Sequence, residues 1–151
     1  MALDASLVGR TYPPGRVYEV SREKIREFAD AVGDPCPAYR DPEAAKALGH
    51  PDVIAPPTFP IIFSLEAALA AAADPTVGVD YARLVHGEQR FQYSRPIRPG
   101  DRLRTTVEIV AARTMAGNDM LTLACSSSTE EGEHVVTATC MVVGRAPEDA
   151  T

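Results

Sequence analysis

The sequence has no excess of positive charge, no apolar run of membrane-spanning length and no closely spaced pair of cysteines. Its 15 Lys and Arg residues stand against 21 Asp and Glu residues, for a net charge of -6. This balance disfavours nucleic acid and anionic membranes as partners, because both attract basic surfaces. The most apolar segment, Phe59 to Ala73, is too short to cross a bilayer, and the opening MALDASLVGR lacks the pattern of a signal peptide. We therefore expect a cytoplasmic protein, and its 151 residues fit one domain.

Cysteine is scarce, and the positions of the three cysteines argue against structural bridges. Cys36, Cys125 and Cys140 are far apart, so neither a disulfide framework nor a zinc site is expected, and no metal or cofactor is predicted. Cys125 and Cys140 fall in apolar strand patterns and are predicted to be core residues. Cys36 lies between two prolines and is either a small packed residue or a reactive thiol.

The first half of the chain predicts a short strand at Val17 to Val20 and two helices. Ser21 is placed to cap the first helix, whose apolar positions recur with helical spacing up to Val32. Gly33 can take the left-handed conformation that ends helices. The second helix is predicted from about Phe59 to Ala73 with Thr58 as its cap, and it is apolar on all sides, which indicates that protein surrounds it.

The second half of the chain has the alternating pattern of antiparallel strands. Turn sequences at AGND and EEGE separate these strands. The predicted strands are His86 to Ser94, Arg102 to Arg113, Met120 to Thr129 and His134 to Arg145. The expected fold is α+β, a single hot-dog domain over residues 1–146 in which an antiparallel sheet wraps around a long central helix. Residues 147–151 are predicted to form a loose tail.

Two segments of the chain resemble a known family. Residues Gly33 to Tyr39 (GDPCPAY) are similar to the active-site loop G-D-x-N-P-hydrophobic-H of the MaoC-like hot-dog hydratases and dehydratases. The stretch HGEQRFQYSRPIRPGD, His86 to Asp101, resembles the signature of their FAS1-like dehydratase branch. Within that branch, MALDASLVGR, EKIREFADAVGD and IAPPTF are similar to the actinobacterial (3R)-hydroxyacyl-ACP dehydratase A subunits. The resemblance extends from about Leu7 to Ala146.

The resemblance implies a dehydratase that acts on 3-hydroxyacyl thioesters, carried on CoA or ACP. Asp34 matches the catalytic Asp of the family, whereas Tyr39 stands where the family has its catalytic His. A backbone N–H near Thr58 and Phe59 corresponds to the family's donor to the thioester oxygen.

Three further positions complete the predicted site. Cys36 replaces the family's Asn, Pro57 stiffens the approach to the central helix, and His86 matches a signature position; we assign all three to substrate binding.

The replacement of the family's His leaves the activity of the chain open. A phenol is almost wholly protonated near pH 7 and is a poor base, and neither His50 nor His86 is a convincing substitute from the sequence. The chain is therefore a subunit whose hot-dog partner supplies an intact Asp and His, or a self-sufficient hydratase built on Asp34 and Tyr39, or a non-catalytic acyl-thioester binder. We prefer the first reading and expect a homodimer or heterodimer.

Several arginines within and just after the signature segment, here called the signature arginines, have two interpretations. They either attract a phosphopantetheine arm or an acidic carrier protein, or they form a solvated face of the sheet. The residues are Arg90, Arg95, Arg98, Arg102 and Arg104.

Overall fold

One antiparallel sheet curves around one long helix in the computed structural model of the protein, which describes residues 3–145. The helices of this part are α1 (Arg22–Ala31), α2 (Pro42–Ala47) and α3 (Ile61–Ala72). The strands are β1 (Thr11–Tyr12), β2 (Tyr18–Glu19), β3 (Leu84–Tyr93), β4 (Arg102–Met115), β5 (Asn118–Thr129) and β6 (His134–Gly144). The strand order is β1-β4-β5-β6-β3, and β2 also pairs with β4. The predicted α+β hot-dog fold is confirmed.

The first helix begins and ends where the sequence predicts. The Ser21 hydroxyl accepts a hydrogen bond from the backbone N–H of Lys24 at 3.1 Å, which satisfies one of the free donors of the first turn. Gly33 has a φ of 71°, and the N–H of Asp34 then donates to the carbonyl of Ala29 at 2.9 Å. This closure turns the chain sharply away from α1 and projects Asp34 into the motif loop.

The central helix starts later than predicted, and Thr58 does not cap it. Helix α3 begins at Ile61, and its N-cap is Pro60, which makes no side-chain capping bond. Residues 57–60 form a turn first, because Pro60 has no N–H and the N–H of Phe59 already donates to the carbonyl of Pro56 at 2.9 Å. The predicted cap at Thr58 is therefore wrong.

The core divides into two clusters along α3. One contains Ala68 and Ala72 with the inward side chains of the strands, among them Cys125 and Cys140, which confirms both cysteines as core residues. Burial raises the pKa of the Cys125 thiol to about 12 and that of the Cys140 thiol to about 11. The second cluster is built around Phe59 and lies at the end of the molecule where the motif loop packs.

Helix α3 is covered by its own sheet on one side only. Ile61, Leu65 and Leu69 recur every four residues along it and stay half-buried, whereas Glu66 is exposed. Among residues 3–145, no helix has both the length and the hydropathy that a bilayer span requires. An apolar stripe that remains partly uncovered in one chain suits contact with further protein. The predicted tail, residues 147–151, lies outside the described residues.

The buried serine of α3 gives a test of this packing. Ser64 is 2% exposed and its hydroxyl has no hydrogen-bond partner among the described residues. Since an unpaired buried hydroxyl is costly, Ser64→Ala should raise the free energy of unfolding by about 1 kcal/mol in urea titrations. Ser127 is the matched control, because its equally buried hydroxyl contacts the Thr105 hydroxyl at 2.7 Å. Ser127→Ala should lower that free energy, and equal effects of the two changes would contradict this account.

Candidate active site

The motif loop is held rigid by its own backbone and by one arginine. The Asp34 carboxylate accepts a hydrogen bond from the N–H of Cys36 at 3.0 Å, which closes a tight turn. The Arg40 guanidinium donates to the carbonyls of Cys36 and Asp34 at 3.0 and 2.8 Å, and to the Asp30 carboxylate at 2.8 Å. Arg40 thereby ties the loop to the end of α1. The sequence reasoning missed this residue.

Tyr39, at the end of the loop, is positioned to donate a proton in a hydrogen bond and not to accept one. It is 7% exposed and packs in the second core cluster. Burial raises the pKa of its phenol, and the charge of nearby Asp34 raises it further. Tyr39 therefore stays protonated near neutral pH. The structure brings together Asp34 and Tyr39, the two residues that the sequence predicts to be catalytic.

The segment before α3 is pinned between the motif loop and the signature turn. The N–H of Ile54 donates to the carbonyl of Ala38 at 3.1 Å, and the N–H of Ala55 donates to the carbonyl of Ile97 at 2.8 Å. Ala38 belongs to the motif loop, and Ile97 belongs to the RPIRPGD stretch. The two segments that carry the family resemblance thus meet at this strand-like connection.

The peptide group between Pro57 and Thr58 is the best candidate for the thioester donor. The Tyr93 hydroxyl donates to the Pro57 carbonyl at 2.7 Å. In a trans peptide the N–H points away from the C=O, so this bond fixes the direction of the Thr58 N–H, which has no acceptor among residues 3–145. Phe59, the other predicted donor, has its N–H occupied.

Tyr93 is the site residue that sequence reasoning overlooked. Tyr93 is the last residue of β3. Burial raises the pKa of its phenol, and the charge of a nearby Tyr39 phenolate would raise it further. The alternation of β3 places Tyr93 on the same face as Phe91, which packs against both core clusters. That alternation was a usable signal for an inward position, but nothing in the sequence links Tyr93 to Pro57.

His86 does not join these residues within one chain. It lies near the opposite end of β3 from Tyr93, about 23 Å away at the rise of an extended strand. Its Nε2 contacts the carbonyl of Glu88 at 3.1 Å. Another imidazole, that of His134, is held by the hydroxyls of Ser94 and Thr137.

A cavity of about 290 Å³ lies between α3, β4 and the segment that joins β1 to β2. Its walls are mainly apolar and include Phe63 and Leu103, and its lining includes Arg16 and Glu66, which form an ion pair at 3.2 Å. Tyr18 stacks on Phe63 with ring centres 5.0 Å apart and contacts Phe59 edge-on at 6.3 Å. Tyr18 and Phe63 line the cavity, and Phe59 belongs to the turn at residues 57–60.

A family model described as the FAS1-like dehydratase domain region matches residues 6–138. The chain belongs to this family. It is 61% identical over 150 residues to the UPF0336 protein SCO4636 of Streptomyces coelicolor, covering 99% of this chain and 100% of that protein.

Solved structures place the chain in the MaoC-like hot-dog group. It is 30% identical to a chain of the HadBC (3R-hydroxyacyl-ACP dehydratase) complex of Mycobacterium tuberculosis, with a TM-score of 0.82 and coverage of 91% of this chain and 97% of that chain. A MaoC-like dehydratase matches with a TM-score of 0.85 at 35% identity, over 95% of this chain and 43% of the other.

In this FAS1-like dehydratase domain, most signature arginines are already paired. Arg95 forms two bonds of 2.9 Å to Asp101 and contacts Glu133 at 2.8 Å. Arg102 and Arg104 both contact the Glu130 carboxylate. These pairs stabilise the turn and the sheet face.

In the described residues Arg90 and Arg98 form no salt bridge. The same part of the chain holds no group of three or more His, Cys, Asp or Glu side chains placed for a metal ion.

Removing the Tyr93 hydroxyl tests its role as a positioning residue for the Thr58 N–H. Tyr93→Phe should keep the fold and lower kcat about tenfold with little change in KM, because the donor matters most as charge develops on the thioester oxygen. The measurement is steady-state hydration of an enoyl thioester by the active assembly. Tyr81, exposed to 51%, provides the matched control. Equal losses in Tyr93→Phe and Tyr81→Phe would contradict the assignment.

Proposed function

We propose that the chain is a subunit of a (3R)-hydroxyacyl-thioester dehydratase, which also hydrates enoyl thioesters in reverse. This reaction requires two groups that move protons at C2 and at the 3-hydroxyl, together with a donor to the thioester oxygen. Asp34 is proposed as one proton-transfer group, Tyr39 as a hydrogen-bond donor that orients it, and the Thr58 N–H as the donor to the thioester oxygen.

The observation that carries this proposal is the peptide between Pro57 and Thr58, whose carbonyl accepts a hydrogen bond from Tyr93 and whose N–H has no acceptor among residues 3–145. Asp34 and Tyr39 are proposed to face this peptide from the motif loop. We assign Cys36, Pro57 and Phe59 to the walls that hold the thioester, since they flank these groups in the sequence. Membership of the FAS1-like dehydratase family supports the reaction class.

The proposed working unit contains two hot-dog chains that pair through β3. The free edge of β3 and the half-buried stripe of α3 support such a pair. The likeness to a chain of the HadBC complex at 30% identity favours a partner that supplies an intact Asp and His. A pair of identical chains is the alternative, and its site would use Asp34 and Tyr39. We propose the cytoplasm as its location, and either CoA or ACP as the carrier.

An assay of crotonyl-CoA hydration tests the function. The chain alone, or co-purified with a second hot-dog chain, should hydrate the substrate. In a pair of identical chains Asp34→Asn should lower kcat by a factor of about 100 to 10,000, whereas in a pair whose partner supplies its own Asp and His the same change should have little effect. Asp41→Asn is a matched control because the Asp41 carboxylate makes the same kind of turn bond, to the N–H of Glu43 at 2.9 Å. In a pair of identical chains, wild-type activity that survives Asp34→Asn would place the chemistry elsewhere, and binding without turnover in every mixture would favour the non-catalytic binder.

Restoring the family residues gives a second test of the same site. Tyr39→His together with Cys36→Asn should raise hydration by the isolated chain, because an imidazole exchanges protons near neutral pH and an amide can hydrogen-bond the loop. Adding Asp34→Asn should abolish the gain. A folded double variant with no gain would show that the site has diverged beyond these two positions.

A further inference from the structure

Strand β3 forms an open edge of the sheet. In the described part of the chain it pairs only with β6. The N–H of Ser94, just after the strand, donates to the carbonyl of Val135 on the β6 side. Because backbone groups alternate in direction along an antiparallel strand, the N–H and C=O groups of Gln89, Phe91 and Tyr93 point away from β6, to the free edge.

The charges on the outer face of β3 fit a second copy of the same strand. Glu88 and Arg90 are exposed, and neither forms a salt bridge within the described residues. When two β3 strands pair antiparallel with Gln89 on the two-fold axis, Glu88 of each copy lies directly opposite Arg90 of the other. Two opposite-charge pairs then form across the seam. An axis at Arg90 would instead place two arginines opposite each other.

A bulge in β3 determines where His86 goes in this pairing. The ladder to β6 skips one residue between His86 and Glu88, so that His86 lies opposite Val142, an inward-facing residue that is 1% exposed. The imidazole therefore lies on the inner face of the sheet. When the ladder between the two β3 strands also skips the residue between His86 and Glu88, His86 of the second copy lies opposite Phe91 and diagonal to Tyr93. Diagonal neighbours are about 7 to 8 Å apart, within reach of long side chains.

We propose that, in a self-paired dimer, His86 of the second copy completes the site of Asp34, Tyr39 and Tyr93. This inference rests on the proposed function. The Nε2 of His86 contacts the carbonyl of Glu88; a carbonyl only accepts, so Nε2 is the protonated nitrogen and Nδ1 is the one that exchanges a proton with the substrate. An imidazole, which the site of one chain lacks, is thereby supplied from across the seam.

The proton balance assigns one role to each chain. In hydration, the Asp34 carboxylate takes a proton from water while the water oxygen forms its bond to C3. The electron pair of the C2=C3 double bond then takes a proton at C2 from Nδ1 of the imidazolium of His86. The Thr58 N–H stabilises the charge on the thioester oxygen during this step. Proton exchange with solvent restores both groups, and dehydration runs the same steps in reverse.

Cysteine cross-linking tests the seam without any measure of activity. Glu88→Cys and Arg90→Cys chains, mixed and mildly oxidised, should form a disulfide-linked dimer, because opposed residues with no hydrogen bond between them have Cα atoms about 4.5 Å apart. Glu88→Cys mixed with Gln92→Cys is the matched control and should not link. Oxidation of the wild-type chain measures any disulfide-linked dimer that forms through Cys36. A link in the control alone would overturn the register.

Hybrid dimers test the catalytic role of His86. Two affinity tags isolate dimers of one Asp34→Asn chain and one His86→Gln chain. Each proposed site takes Asp34 from one chain and His86 from the other, so in this hybrid one site carries both substitutions and the other carries neither. About half of the wild-type activity should therefore return. The inverse hybrid, a doubly substituted chain paired with a wild-type chain, carries one defect in each site and should be nearly inactive. The opposite result, activity in the inverse hybrid only, would show that His86 acts within its own chain.

The two sets of results separate the failure of this inference from that of the proposed function. A wild-type homodimer that cross-links at the predicted positions but does not hydrate crotonyl-CoA would overturn the role of His86 and leave the seam intact. Activity only with a different hot-dog chain would do the same and would support the heteromeric enzyme. An active homodimer in which His86→Gln has no effect would retain the proposed function and reject the inference.

Discussion

The orientation of one peptide group, between Pro57 and Thr58, is the constraint on which the site depends. Its carbonyl is held by the Tyr93 hydroxyl, and its N–H is left without a partner. A backbone donor stabilises developing charge only when its direction is fixed beforehand. The prolines at positions 56 and 57 restrict the chain on the approach to this peptide. The turn at residues 57–60, which delays the start of α3, is therefore part of the proposed site.

The two segments that carry the family resemblance act together on that peptide. The motif loop fixes the preceding residues through the carbonyl of Ala38, and the signature turn fixes them through the carbonyl of Ile97. The signature turn is in turn held by Arg95 and Asp101, whose side chains are only 16% and 11% exposed. A bidentate pair at this burial is less screened by water than a surface pair. Arg95 and Asp101 of the signature thus support the segment that leads to the proposed site.

The sequence predicts the sheet well because alternation and turn residues are local signals. The four long strands appear where they were expected, with ends that differ by at most two residues. The start of α3 was mistaken because Thr58 is a good capping residue by type, whereas three prolines and a backbone turn decide the outcome. Tyr93 was missed because its partner lies 36 residues away in the chain. Contacts of this kind depend on the curvature of the sheet, which no short pattern encodes.

The geometry of one chain also gives the reason for proposing that a second chain completes this site. Tyr39 and Tyr93 are both phenols, and burial raises the pKa of both. Phenols in that state donate hydrogen bonds but do not accept protons near neutral pH. The carboxylate of Asp34 can accept a proton, but a second group must exchange one as well. Because Tyr93 ends β3, whose outer edge is unpaired in the described residues, the proposed source of such a group is the strand that pairs with that edge.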